Sequence, residues 1–232
     1  MSLQTMPATL ALRRFARALG LTPMLGRFLN RRGYELAFDE ALAAAMRPGD
    51  TVWDVGANVG YYSRRFAEAV RPGGQVFAFE PSPVTLTRLR AEIGDATDIK
   101  IVPVGLGAAA ATMSFVQSAD ELGVASKVVA PGAADGAVDV EIDSGDRLVR
   151  DGRVAPPNVI KIDVEGFELD VLKGLTETLR NPVLRSVCVE VHFTQLAERG
   201  LETAPRTIER LLKDAGFSLR WTDPSHLVGS RT

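Results

Sequence analysis

Four ionisable residues stand where two apolar runs end. Asp163 and Glu165 close the run that begins at Val159, and Glu190 and His192 close the run that begins at Ser186. Two acids two positions apart, on a segment otherwise apolar, need water, a cation or a partner group. Period-2 alternation puts Glu190 and His192 on one face of a strand. If the two strands are neighbours, the four side chains converge. Such a set offers a general base, with Asp163, Glu165 and His192 as candidates. It also offers an oxygen/nitrogen site for a divalent metal, with Asp163, Glu165, Glu190 and His192 as ligands. Helix capping and substrate hydrogen bonding are the plainer alternatives. A first-turn acid favoured by the helix dipole accounts well for Glu168, fairly for Glu165 and poorly for Asp163.

A second group lies upstream. Val52-Trp-Asp54-Val-Gly56-Ala-Asn58-Val-Gly60 sits where a strand gives way to a helix. Such a turn brings backbone close to a ligand and aims helix-start N–H groups at it. Asn58 is one of the few residue types that tolerate positive φ. The spacing of Gly56 and Gly60 does not match the G-x-G-x-x-G dinucleotide pattern. Glu80 follows Asp54 by 26 positions, at the tip of the next strand. There it can accept hydrogen bonds from both ribose hydroxyls of an adenosine-containing cofactor. A plain strand-end acid capping the helix start at Pro81-Ser82-Pro83 is the alternative.

The elements that position these groups follow from periodicity. Residues 1–47 read as helical, with a second helix over Tyr34 to Met46, stopped by Arg47-Pro48-Gly49-Asp50. Thr51–Val55, Gln75–Glu80 and Ile99–Val104 read as strands. Helices over Tyr61–Val70 and from Pro83 to near Gly94 lie between them. This alternation predicts βαβ units and a parallel sheet. Thr112–Gln117 and Val138–Ile142 read as short strands of an insertion or hairpin, around a Gly/Ala-rich connection over Ala130–Ala137. Regular alternation resumes with a buried strand Val159–Asp163, a helix Glu168–Leu179, a strand Ser186–Val191 and a helix Thr203–Ala215. Gly216 suits the position just past that last helix. Phe217–Trp221 and His226–Gly229 read as an antiparallel pair around Asp223-Pro224. The expected organisation is a helical N-terminal extension, 1–47, and one α/β domain, 48–232.

Composition bounds the rest. With 27 Lys+Arg against 29 Asp+Glu in 232 residues, the formal charge is −2, too neutral for a chain whose whole surface binds nucleic acid. Cys188 is the single cysteine, which forbids an internal disulfide. No apolar run approaches the ~20 residues needed to span a bilayer, so a cytoplasmic soluble protein is expected. The near-zero total conceals an asymmetry. Met1 to Gly33 contains no acid and six arginines: Arg13, Arg14, Arg17, Arg27, Arg31 and Arg32. These can line an entrance for an anionic acceptor, mediate self-association as in a homodimer, or solvate a helix.

Taken together, Asp54-Val-Gly-Ala-Asn-Val-Gly-Tyr-Tyr-Ser63, Phe79-Glu-Pro81, and Ile160-Lys-Ile-Asp-Val-Glu-Gly-Phe-Glu-Leu169 with Val171-Leu-Lys-Gly174 closely resemble the FkbM-type S-adenosylmethionine-dependent methyltransferases. Asp146-Arg-Leu148 falls where that family has an acidic segment, although Ser144-Gly145 before it is atypical. The resemblance covers about residues 50–195 and rests on several motifs in order. It implies a Rossmann-like class I methyltransferase fold: a seven-stranded, mostly parallel sheet with a reversed last strand. It implies that Asp54, Gly56, Ala57, Asn58, Gly60, Tyr61 and Ser63 surround the methionine end of S-adenosylmethionine. Glu80 and Pro81 would then hold the ribose, Gly105 and Leu106 would lie by the adenine, and Asp163 would complete the cofactor set. Members commonly methylate hydroxyl oxygens of sugars and secondary metabolites, so a small-molecule acceptor is expected. N-methylation by the same fold is one alternative. A nicotinamide-dependent oxidoreductase is a weaker one, because a pyrophosphate needs a denser glycine pattern than Gly56…Gly60. A non-catalytic binding protein is the third.

Overall fold

The computed structural model describes residues 36–116, 127–129 and 137–231. The first leader segment, its six arginines and most of the Ala130–Ala137 connection lie outside them. A helix α1 over residues 36–45 precedes β1 (Thr51–Val55), α2 (Tyr61–Val70), β2 (Gln75–Phe79), α3 (Pro83–Ile93) and β3 (Ile99–Val102). A second group follows: β4 (Gly105–Leu106), β5 (Ala111–Val116), β6 (Lys127–Val129), β7 (Ala137–Asp143) and α4 (Gly145–Arg150). The chain then runs through β8 (Val159–Ile162), α5 (Glu168–Lys173), β9 (Ser186–Glu190), α6 (Phe193–Glu198), α7 (Ala204–Asp214), β10 (Ser218–Trp221) and β11 (His226–Ser230).

The main sheet has seven strands in the order β10-β11-β9-β8-β1-β2-β3. The last strand, β11, is antiparallel to both its neighbours, while β9, β8, β1, β2 and β3 pair in parallel. This is the Rossmann-like class I methyltransferase arrangement, with its reversed last strand. Alternation along the strands separates two cores. Trp53, Phe77, Phe79, Ile160 and Ile162 pack on one face with Leu172 of α5 and Ile208 of α7. Val52, Val76, Val159 and Cys188 pack on the other with Phe66 of α2 and Leu89 of α3. On that second face α1 inserts Phe38 and Leu42, four residues apart and both buried. Among the described residues no helix is long and apolar enough to cross a membrane.

Three expectations need correction. The third strand ends at Val102 and not Val104. The chain there leaves the main sheet, and Gly105-Leu106 pairs in parallel with Ile142-Asp143 of a second, four-stranded sheet, order β4-β7-β5-β6. That sheet contains the expected β5–β7 antiparallel pair and the unanticipated β6. The helix expected over Glu168–Leu179 stops at Lys173, and only a short 3₁₀ turn, Thr178–Arg180, follows. Asp146 holds that break, because its carboxylate accepts from the amides of Glu177 and Thr178 and from the Thr178 hydroxyl. Finally, the strand expected over Ser186–Val191 ends at Glu190, and α6 begins directly after His192, in a stretch to which periodicity assigns no element.

The end of α5 meets the second sheet tightly at Gly174. A Cβ there would lie 1.9 Å from the carbonyl oxygen of Gly107, the residue that follows β4. Backbone would have to move to admit it, and overpacking of this kind costs ~1–3 kcal/mol. Gly174→Ala is expected to lower the melting temperature by about 5 °C or more. A thermal melt within about a degree of wild type would show that the junction is not this tight.

Candidate active site

Backbone builds the first part of the site. Gly56 follows β1 and turns with φ +78. The amides of Gly56 and Ala57 donate to the Phe79 carbonyl at 3.1 and 2.9 Å, tying the turn to the end of β2. A Cβ on Gly56 would lie 1.9 Å from the Asp163 carbonyl oxygen, so only glycine fits between the two strand ends. Asn58 adopts φ +50, and its amide donates to Glu80 Oε2 at 3.1 Å, while the Ser82 amide donates to Oε1 at 2.9 Å. Glu80 is therefore aimed by two backbone donors. Burial pushes its pKa up against the pull of those donors.

Below the turn lies a charge in the core. Lys161 is 2% exposed, on the same strand face as Val159, where the pattern calls for an apolar residue. The β1–β8 register sets it opposite Asp54. Its ammonium lies 3.2 Å from Asp54 Oδ1, 3.2 Å from the Gly56 carbonyl and 3.3 Å from Asp163 Oδ2. The Gly56 carbonyl accepts a hydrogen bond from it, and the two carboxylates pair with it as ions. Burial works against its charge, but Asp54 and Asp163 outweigh that and raise its pKa. The second oxygen of Asp54 accepts from the Ser63 hydroxyl at 2.6 Å.

The groups at the ends of β8 and β9 do converge, around His192. Its Nε2 lies 3.7 Å from Asp163 Oδ1, 3.4 Å from Glu165 Oε2 and 3.8 Å from Glu190 Oε1. Its Nδ1 lies 2.7 Å from Glu168 Oε1. Burial disfavours the imidazolium, yet Glu168, Glu165 and Asp163 together push the pKa up to about 9. The stabilisation from this charge is thus complete below the ordinary value of about 6.5 and lost as pH rises through about 9. Glu190 is shared: its other oxygen lies 3.4 Å from Nε2 of His226, whose Nδ1 meets Asp223 at 2.8 Å. Burial opposes the charge on Glu190, but the two histidines hold its pKa below the usual carboxylate range. Glu165 behaves the other way. Burial raises its pKa, with Asp163 and Glu190 adding to the shift and His192 opposing it. Glu165 also adopts φ +49, outside its preferred backbone region, at a cost on the order of 1–3 kcal/mol.

A cavity of about 510 Å³, the size of a cofactor or metabolite pocket, joins these parts. Gly56, Asn58, Glu80, Pro81, Gly105, Leu106 and Asp163 line it, as does Glu165. Met113, Val140 and Ile142 of the second sheet supply an apolar wall with Ala108 of the β4–β5 connection, and Phe167, Asp170 and Arg199 complete another. The remaining residues of the expected set do not line it. Asp54 and Ser63 are fully buried against each other, Ala57 is buried within the turn, and a Cβ on Gly60 would lie 2.8 Å from Leu89 Cδ1. Tyr61 is 62% exposed at the start of α2. His192 and Glu190 stand behind Asp163 and Glu165. Asp163, Glu165 and His192 each offer one ligand atom within 4.8 Å of the others. Periodicity gave no role to Lys161, Gln195 or Arg199. For Lys161 the signal was present, as a cation inside an apolar strand.

Comparison with known proteins agrees with this architecture. The profile described as Methyltransferase FkbM domain matches residues 54–219. Hexuronic acid methyltransferase AglP of Haloferax volcanii is 35% identical over 188 residues, covering 78% of this chain and 71% of that protein. The 31-O-demethyl-FK506 methyltransferase FkbM of Streptomyces tacrolimicus is 29% identical over 203 residues, covering 75% of each. The crystal structure of Methyltransferase FkbM from Methylobacillus flagellatus is similar with a TM-score of 0.53 at 17% identity. The alignment covers 80% of this chain and 44% of that one, so this chain spans less than half its length. With the motif order, the sheet topology and the family profile in agreement, this chain belongs to the FkbM methyltransferase family.

Proposed function

We propose that the chain transfers a methyl group from S-adenosylmethionine to a hydroxyl oxygen of a sugar or secondary metabolite. One observation carries this reading: a single cavity is lined by a ribose-type acid, by a glycine turn and by Asp163 with Glu165. The donor set fits the cofactor. Glu80 would hold the ribose, Gly105 and Leu106 would flank the adenine, and Gly56, Asn58 and Asp163 would surround the methionine end. When bound, the cofactor supplies an electrophilic sulfonium methyl. The names of the relatives, one for a hexuronic acid and one for a 31-O position, support an oxygen acceptor.

A neutral alcohol is a poor nucleophile until its proton is removed, whereas a neutral amine already has a free lone pair. A base cluster therefore favours the hydroxyl over the amine reading. Of the three candidates, Glu165 suits proton removal best. It reaches the cavity, and its raised pKa brings it nearer to neutral pH. His192 is charged at neutral pH and sits behind the wall, so its part is to orient Asp163 and Glu165 and to balance their charge. A divalent cation bound by Asp163, Glu165, Glu190 and His192 is the second reading, favoured by the grouping of three donor atoms within 4.8 Å. It would have to displace the His192 proton.

Glu80→Ala is expected to weaken S-adenosylmethionine binding by ~10-fold or more, since a hydrogen bond to a charged group is worth ~1.5–3 kcal/mol. Calorimetry showing unaltered affinity would remove Glu80 from that role. His192→Ala should leave cofactor affinity intact and lower turnover. Wild-type turnover should also decline as pH rises through about 9, where His192 gives up its charge. A rate that stays flat to pH 10 would show that the charge is not needed. With methyl-labelled S-adenosylmethionine and a panel of methyl glycosides and primary amines, label is expected in a glycoside hydroxyl. Label confined to amines would overturn the oxygen reading.

A further inference from the structure

The helix that begins after His192 also grips the turn that carries Glu165. Glu165 and Gly166 have successive positive φ values, +49 and +97. Gln195 donates its side-chain amide to Glu165 Oε2 at 2.9 Å, the same oxygen that faces His192 at 3.4 Å. Four residues on, Arg199 donates to the Gly166 carbonyl. Its guanidinium is braced by Asp170 at 2.8 Å and by the Phe167 ring, whose centroid is 3.8 Å away. From the other side, the Gly166 amide donates to Glu168 Oε1 at 2.8 Å, the oxygen that also meets His192 Nδ1. A Cβ on Gly166 would lie 2.7 Å from Cβ of Gln195, so helix and turn are in direct contact.

The Glu165 side chain is 47% exposed. An acid that open can swing into water unless something holds it. Gln195 supplies that hold as a neutral donor, so it orients the carboxylate without adding a formal charge beside it. We propose that Gln195 is a positioning residue for the methyl transfer. It fixes Glu165 against His192, ready to accept the acceptor's proton, while Arg199 anchors the turn beneath. The proposal rests on the assignment of Glu165 as proton acceptor.

The test compares Gln195→Ala, Gln195→Glu and Glu165→Gln in the full chain. With the glycoside that takes up label in the panel above, kcat is expected to fall about tenfold in Gln195→Ala, since small misplacements of reacting groups cost that much or more. It should fall further in Gln195→Glu, which replaces the donor by a like charge. The Kd for S-adenosylmethionine and the melting temperature should match wild type in both. A second measurement needs no acceptor. The chain has two histidines, so the ring ¹⁵N signals of His192 can be assigned and followed at one fixed pH. They should move in Gln195→Ala in the same direction as in Glu165→Gln. If Glu165→Gln retains full kcat, the proton-acceptor assignment fails, and this proposal fails with it. If Glu165→Gln lowers kcat or moves the His192 signals while Gln195→Ala does neither, the positioning role alone is overturned.

Discussion

A single buried ammonium organises the site. Lys161 sits in the core, hydrogen-bonded to the Gly56 carbonyl and ion-paired with Asp54 and Asp163. A charge removed from water is tolerated only when it is paired and hydrogen-bonded. Those partners come from the end of β1, from the glycine turn and from the end of β8. The constraint that keeps Lys161 satisfied therefore also fixes the distance between the glycine turn and the acid that ends β8. Asp163 shares its two oxygens between Lys161 and His192, and so passes that constraint on to the second half of the site.

Around His192 the charges are arranged in order of access. Glu168 is wholly buried and holds one ring nitrogen, while Asp163, Glu165 and Glu190 face the other. Glu165 is the most exposed of these four acids, and it carries the raised pKa. In the role proposed for it, Glu165 is reachable by a substrate, while the cation beside it is kept from water. The structure separates the two tasks by depth. His226 and Asp223 extend the same pairing away from the cavity, through Glu190.

Much of this was legible in the residues alone. The βαβ alternation, the turn at Gly56 and the acids at strand ends are local patterns with a local cause. The convergence of Asp163, Glu165, Glu190 and His192 needed only the assumption that β8 and β9 are neighbours, which they are. The rest depends on contacts distant in sequence. Glu168 reads as an ordinary first-turn acid until His192 is seen beside it. Six residues of α6 are too few to show a helical period, so Gln195 and Arg199 gave no sign of their part. The break after Lys173 follows from the fit of Gly174 against Gly107 and from Asp146 across the gap, neither of which is written in the apolar pattern of Glu168–Leu179. The short pairing of β4 with β7 could not be read from two residues.

The register between β1 and β8 has a consequence for assembly of the sheet. Apolar parallel strands are nearly interchangeable along their length, and a slip of one residue turns every side chain to the opposite face. In this pair Asp54 stands opposite Lys161. Only one alignment brings ammonium and carboxylate together. A shift in either direction would drive an unpaired charge among Trp53, Ile160 and Ile162, or leave it against Val52 and Val159. The buried pair thus acts as an alignment mark for the two central strands, and the chain that aligns them correctly has, by the same step, joined the glycine turn to the end of β8.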